Sequence, residues 1–245
     1  MALLKVLSVL LDYPSENFYE HKSAIVDCVN EANIKPQNKK SLLDFINQRA
    51  EQNLLDWQAD YDSLFERGRS LGLWLFEHVH GESRDRGQAM VDLTAKYKEA
   101  GLHISQHQLP DYIPMFLEFI STQGEQGARE WLLDVEHILA LLQCRLERRG
   151  SDYAAMFSCL LDIAGSRLDL RDMRNQVASE KRDDSKKAID KEWQEEEVTF
   201  GADSLDKNCG SATRKPSNTQ RKDLDVPLNW VGFNEAESPQ AGVKQ

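Results

Sequence analysis

The sequence predicts an all-α fold, in which a single bundle of about nine helices is followed by a disordered C-terminal tail. Apolar residues recur every three or four positions through most of the chain, which is typical of helices that bury one face. No run alternates with the two-residue period of a half-buried strand. The connections between the periodic stretches are short, and this favours a bundle over separate helices.

Nine apolar stripes mark the predicted helices, and in chain order they occupy residues 3–10, 18–29, 36–46, 54–68, 71–79, 90–97, 113–120, 131–146 and 153–164. Pro36 begins the third stripe, because proline suits the first turn of a helix. Gly101 and Gly150 are placed to end the sixth and eighth helices. The fifth stripe is apolar on more than one face, so we expect it near the centre of the core.

The periodic pattern weakens after Asp169, which divides the chain into three parts. We predict an all-helical domain over residues 1–180 and an acidic helical extension over residues 181–200. Residues 201–245 contain few large apolar groups, and they cannot bury enough surface to offset the entropy of ordering. That tail is therefore predicted to be disordered.

The formal net charge is −11, and residues 180–245 contribute −3 of it, which leaves −8 on residues 1–179. A body of that sign repels nucleic-acid phosphates and anionic lipid and attracts basic partners. The first apolar stretch ends at Leu11, too short to span a bilayer, and no basic residues precede it. We therefore expect a cytoplasmic protein with no nucleic-acid partner and no membrane insertion.

Motifs for the common catalytic and cofactor sites are missing from the sequence. The four cysteines have no C-x-x-C spacing, which argues against a disulfide framework or a zinc ribbon, and three of them lie in helical stripes as small apolar residues. There is no glycine-rich phosphate loop and no G-x-S-x-G turn. We expect no catalytic residues and no enzymatic activity.

The densest polar cluster occupies residues 77–88. It supplies side chains that zinc or iron accept as ligands, namely Glu77, His78, His80, Glu82 and Asp85. On a helix, residues two apart point in nearly opposite directions, whereas metal-binding histidines normally lie four apart. A metal-dependent helical hydrolase using His78 and His80 is therefore the alternative hypothesis and not the preferred one.

The preferred interpretation of the same cluster is a solvated joint between two helices. Glu82 or Asp85 would cap the second helix, and Arg84 and Arg86 would pair with neighbouring carboxylates. Because this joint follows the apolar stripe at residues 71–79, a groove with apolar walls and a polar rim is expected there. Further along, Pro110 and Pro114 make a stiff turn, and Asp111 is available to cap the helix that follows.

Residues 75–93, LFEHVHGESRDRGQAMVDL, closely resemble the signature of the NarJ family, whose members are dedicated chaperones for the molybdenum-containing catalytic subunit of respiratory nitrate reductase. A match of such irregular polarity over nineteen residues is highly specific. Weaker similarity to the family occurs at residues 61–69, at 109–111 with Pro114, and at 138–142, 182–184 and 193–198. The whole resemblance covers roughly residues 1–200.

The resemblance implies an all-helical fold shared with other redox-enzyme maturation proteins. It implies a partner, the apo catalytic (alpha) subunit of nitrate reductase, bound partly through an N-terminal segment that resembles a twin-arginine leader. The subunit would be held in the cytoplasm until molybdopterin guanine dinucleotide is inserted, and the chaperone itself would keep no cofactor permanently. Cofactor-delivery proteins are a further class of partner that the resemblance leaves open.

The resemblance and the local chemistry together predict a client-binding surface near the joint. Its expected members are Phe65, Glu77, His78, His80, Glu82, Arg84, Asp85, Arg86, Pro110, Asp111 and Glu118. The chain departs from the family pattern at Tyr112, where a histidine commonly follows the Pro-Asp pair, and at Gln108, where a glutamate is common. A role that depends on the titration of that histidine is therefore not carried over.

Overall fold

A computed structural model describes residues 2–80, 84–105, 108–185, 187, 188 and 190, so the predicted tail and most of the extension lie outside the described residues. The described residues form eleven α-helices and one π-helical segment, which confirms the predicted all-α class. The helices are α1 (Ala2–Leu11), α2 (Asn17–Glu31), α3 (Pro36–Glu51), α4 (Leu54–Tyr61), α5 (Leu75–His80), α6 (Arg84–Glu99), α7 (Ile113–Ser121), α8 (Gly124–Asp134), α9 (Glu136–Arg148), α10 (Ala154–Ala164) and α11 (Leu170–Ser179).

Several helices differ from the predicted stripes. The stripe at residues 54–68 is α4 followed by a π-helical segment, Asp62–Glu66, whose wider turn keeps Phe65 in the core. The stripe at residues 131–146 is divided at Val135, where ψ is 7°, into α8 and α9. The helix α11 was not predicted, because its only fully buried residue is Val177 and its apolar period is therefore weak.

The core is one continuous apolar cluster in which α1 packs on α7 and α10 packs on α3, α8 and α9. Its aromatic centre joins α3, α4 and α10. The ring centroids of Phe45 and Tyr153 are 4.9 Å apart, those of Phe65 and Tyr153 are 5.0 Å apart, and Trp57 Nε1 donates a 2.8 Å hydrogen bond to Tyr153 Oη. Edge-to-face packing of this kind favours one fixed arrangement of the helices.

The stripe at residues 71–79 is only partly helical. Leu71, Leu73 and Leu75 are buried, as expected for a central segment, whereas Val79 is 58% exposed. The helix begins at Leu75. Residues 70–73 before it form a turn and a bend, and Trp74 forms an isolated antiparallel bridge with Tyr112. This bridge brings the motif-bearing α5 against the proline-containing turn at residues 109–114.

Cys144 and Cys159 are buried as predicted, and Cys28 is partly buried. Within the part of the chain that the structure describes, no helix has the length and apolar character needed to cross a bilayer.

Candidate functional site

The motif helix α5 is held at its N-terminus by Asp111, which lies far along the chain. Asp111 Oδ2 accepts a 3.2 Å hydrogen bond from the Phe76 N–H, and the Asp111 carbonyl accepts a 2.9 Å bond from the Leu75 N–H. The prediction that Asp111 caps the helix that follows it is wrong. Tyr112 occupies the N-cap position of α7, and Asp111 caps α5 instead, because the Trp74–Tyr112 bridge places its carboxylate there.

Asp111 is fully buried, and its charge is only partly compensated. Burial raises the pKa of Asp111, and the Phe76 N–H and the Arg86 guanidinium, 3.7 Å away, oppose this increase. Asp111 Oδ1 and Arg86 Nε are buried, and neither has a hydrogen-bond partner among the described residues. A buried charge pair with unsatisfied atoms is costly to break, so it anchors α5 and α6 in one arrangement.

His78 forms a hydrogen bond with the backbone in this structure. Its Nε2 lies 2.8 Å from the Gly72 carbonyl oxygen, and because that oxygen can only accept, the imidazole donates. Burial lowers the pKa of His78, so the ring is neutral near pH 7. Among residues that the structure describes, no group of three His, Cys, Asp or Glu side chains is placed to hold a metal ion.

A polar cleft of about 440 Å³ lies beside α5, and it brings together three of the predicted site residues. Its lining is Arg69, Ser70, Glu77, His78, Arg86, Leu141 and Arg145. Sequence reasoning did not predict Ser70 and Arg145 as site residues. Arg145 was recognised only as a cation near a helix C-terminus, and no sequence signal places that helix end beside the motif.

The other predicted site residues lie at different depths. Phe65 and Pro110 are buried, and the Pro110 carbonyl accepts a 2.6 Å hydrogen bond from Tyr97 Oη. Asp85 and Glu118 are exposed, on α6 and α7. Glu82 and the side chains of His80 and Arg84 are outside the described part of the chain.

Tyr112, at the position where the family pattern has a histidine, connects the proline turn to the body. Its hydroxyl donates a 3.0 Å hydrogen bond to Asp12 Oδ1 and lies 3.3 Å from Tyr61 Oη. Tyr61 in turn donates to the Leu11 carbonyl at 2.9 Å. Burial raises the pKa of Tyr112, so this connection does not titrate near neutral pH.

The described residues form an all-α bundle, and α5 and α6, which we call the motif hairpin, carry the described residues of the signature at positions 75–93. The model of the nitrate reductase delta subunit family matches residues 32–158. The chain belongs to this family, and the resemblance found in the sequence is confirmed.

Similar proteins extend the match well beyond those residues. NarJ of Escherichia coli (strain K12), a nitrate reductase molybdenum cofactor assembly chaperone, is 41% identical over 213 residues, which are 86% of this chain and 89% of that protein. NarW of the same organism, whose name carries the same assembly-chaperone designation, is 41% identical over 96% of this chain and 98% of its own length. NarJ of Bacillus subtilis (strain 168) is 28% identical over 63% of this chain and 84% of its own. These relatives are chaperones, which confirms the prediction that the chain is not an enzyme.

Proposed function

We propose that this chain is the dedicated chaperone of a respiratory nitrate reductase. It binds the apo catalytic (alpha) subunit, including its N-terminal segment, in the cytoplasm. It holds that subunit while molybdopterin guanine dinucleotide is inserted, keeps no cofactor itself, and leaves before the enzyme attaches to the membrane. The observation that carries this proposal is the position of the motif hairpin, whose helices α5 and α6 present exposed side chains and are anchored by the buried Asp111.

Exposed apolar side chains occur on the motif hairpin and in the loop that follows it. Of the seven large apolar side chains that are exposed in the described residues, Val79, Val91 and Leu109 lie on the hairpin or in the loop that follows it. Of the α6 side chains that the structure describes, only Leu93 and Tyr97 are buried. These aliphatic groups are available to contact another protein.

The charge of the body and the shape of the hairpin favour an N-terminal client segment that is both apolar and basic. Apolar side chains of such a segment would cover Val79 and its neighbours, as in other cases where a helix binds in a groove. Glu77, Glu82 and Asp85 would meet its basic residues, and the net negative body would increase the rate of encounter.

The buried members of the predicted site support this surface and do not line it. Asp111 fixes the start of α5 and therefore the direction in which Glu77 and His78 point, whereas Phe65 packs in the aromatic core against Tyr61 and Tyr153. Arg86 and Pro110 hold the hairpin to the proline turn. Glu118 is exposed on α7, the helix that follows this turn.

The test is a variant in which Glu77→Gln, Glu82→Gln and Asp85→Asn are combined. We expect its affinity for a synthetic peptide of the catalytic subunit's N-terminal segment to fall by about tenfold, with a weaker dependence on salt, because the rim charges are lost. Isothermal titration calorimetry at two salt concentrations measures both effects.

The matched control is Glu125→Gln, Glu130→Gln and Asp134→Asn, which removes the same number of negative charges from exposed positions on α8. This control should bind the peptide nearly as well as the unaltered protein. Equal losses in the two variants, or unchanged binding in the first, would show that the rim of the hairpin is not the client-binding surface.

A further inference from the structure

Arg145, near the end of α9, and Arg149, its C-cap residue, pair with acids of residues 180–184, which we call the carboxylate segment. Arg145 donates from Nε and Nη2 to the two carboxylate oxygens of Glu180, both at 2.9 Å. Arg149 donates from Nη2 to Asp183 Oδ1 at 2.8 Å, and its Nη1 lies 3.0 Å from Asp184 Oδ2. The Arg145–Glu180 pair is bidentate, and such pairs are among the stronger and more directional contacts between side chains.

The turn before the polar cleft forms the other half of this site. Ser70 donates from its backbone N–H to Asp183 Oδ2 and from its hydroxyl to Asp183 Oδ1, both at 2.7 Å. Gly68 has a φ of +96°, and a Cβ atom added there would lie 2.7 Å from Asp183 Cγ. The backbone is therefore shaped to admit a carboxylate, and Ser70, Arg145 and Arg149 together form a carboxylate cradle.

The carboxylate segment is attached almost entirely by charge. Its sequence, Glu-Lys-Arg-Asp-Asp, contains no apolar side chain, and the last fully buried apolar residue before it is Val177. The side chains of its three acids are between 15% and 28% exposed. Ion pairs and hydrogen bonds of this kind can equally be formed by carboxylates of another polypeptide, and salt screens partly buried pairs less than exposed ones.

The cradle is continuous with the polar cleft, because Ser70 and Arg145 line both. The other side of that cleft is formed by Glu77, His78 and Arg86 from the motif hairpin. A polypeptide that displaced the carboxylate segment would therefore lie directly beside the surface assigned to the client.

We propose that the cradle of Ser70, Arg145 and Arg149 is a binding site for an acidic peptide segment of a partner protein, and that the chain's own residues 180–184 occupy it in this structure. This site goes beyond the proposed function, since it takes a ligand of opposite charge to a basic leader. Because the carboxylate segment is tethered, its effective concentration is high, and a partner must add further contacts to displace it.

The ionisation of Asp183 agrees with a site that selects carboxylates. Burial alone would raise the pKa of Asp183, but the hydrogen bonds from the Ser70 hydroxyl and N–H, with the charge of Arg149, lower it overall. The ionised group is thus the form that the cradle favours.

The first experiment uses the full chain carrying Glu180→Gln, Asp183→Asn and Asp184→Asn, and as probe a labelled peptide with the natural sequence of residues 178–186. The variant should bind this peptide at least about tenfold more tightly than the unaltered protein, whose cradle is filled, and binding should weaken as salt is raised. Adding Arg145→Gln and Arg149→Gln should abolish it. Binding no tighter than that of the unaltered protein, or unaffected by loss of the two arginines, would overturn the proposal.

A second experiment uses the unaltered protein, so it can be carried out even if the variant of the first experiment does not fold. Trypsin cleavage after Lys181 and Arg182 is followed by mass spectrometry in the unaltered protein. Excess acidic peptide should release the carboxylate segment and speed cleavage at these two bonds several-fold, whereas a basic peptide of equal length should not. Cleavage at an unchanged rate would show that the cradle does not exchange its occupant.

Discussion

Asp111 joins two parts of the chain that are far apart in sequence. The same carboxylate caps the start of α5 and lies against Arg86 of α6, so one side chain orients both helices of the motif hairpin. Its complete burial means that it acts by positioning the surface and not by touching a partner.

Replacing Asp111 should therefore weaken the fold according to what the new side chain can still accept. Asp111→Ala removes the cap and leaves Arg86 without its carboxylate, and we expect a loss of about 2–3 kcal/mol in the free energy of unfolding. Asp111→Asn keeps an acceptor for the Phe76 N–H and should cost clearly less. Urea denaturation of the two variants measures the difference, and equal losses would contradict the assigned cap.

The contributions of Asp183 and Asp111 to stability should change with pH in opposite directions. The lowered pKa of Asp183 means that its contribution to stability is present above its unfolded pKa and is lost as the pH falls through its folded value. The raised pKa of Asp111 means that its burial costs stability near neutral pH, and that this cost is relieved on acidification.

Between about pH 7 and about pH 3, the stability difference between the unaltered protein and Asp183→Asn should therefore shrink. Over the same range, the unaltered protein should become more stable relative to Asp111→Asn, because protonation relieves the cost of burying the Asp111 charge. Thermal unfolding across this range measures both, and parallel pH profiles for the two variants would contradict the assigned environments.

Sequence reasoning found the residue types of the site but not their partners. Asp111 was recognised as a cap from its place after Pro110, yet the helix that it caps begins at Leu75, and only the tertiary fold shows this. Ser70 and Arg145 were not predicted as site residues, because a serine in a turn and an arginine at a helix end have ordinary explanations of their own.

Among the elements, the turn that contains Gly68 connects the aromatic core to the carboxylate segment. Two features require glycine at position 68. The backbone has a positive φ, and the Asp183 carboxylate occupies the space where a Cβ atom would lie. Gly150 has a similar φ of +68°, but no atom lies within 4 Å of the Cβ position there. The two glycines thus form a matched pair that separates backbone strain from steric exclusion.

Gly68→Ala should destabilise the protein by more than Gly150→Ala, whose cost should be the strain of about 1–2 kcal/mol expected for a left-handed residue. The additional cost arises because the new methyl group displaces the Asp183 carboxylate. Thermal unfolding measures the stabilities, and tryptic cleavage after Lys181 should accelerate only in the Gly68 variant. Equal behaviour of the two variants would show that Asp183 does not depend on that space.

Helices with one strongly apolar face could be predicted from the sequence, and those whose ends depend on packing could not. The stripes of α1, α3, α7 and α10 match the observed helices closely because their buried faces are continuous. The break at Val135 carries no glycine or proline, so no local signal marks it. The polar α11 is anchored through Arg148, which donates to the Val177 carbonyl at 2.6 Å, and through Glu147, which accepts from Arg174.

For the molecule as a whole, the charge distribution separates two kinds of contact. The formal charge of −11 favours basic partners at long range, whereas the cradle concentrates arginines at one place and covers them with acids of the same chain. The sign of the net charge was clear from composition. The cradle could not be predicted from composition, because its three residues come from a turn and a helix end that only the fold brings together.

The central claim is that the chain holds a polypeptide client until the cofactor is inserted. It is tested most directly by purifying the tagged protein from cells grown anaerobically with nitrate, with and without molybdenum cofactor synthesis, and quantifying the nitrate reductase catalytic subunit that co-purifies. Our account predicts that the subunit is retained in larger amount when the cofactor cannot be made. Equal capture in the two cultures, or no capture in either, would contradict it.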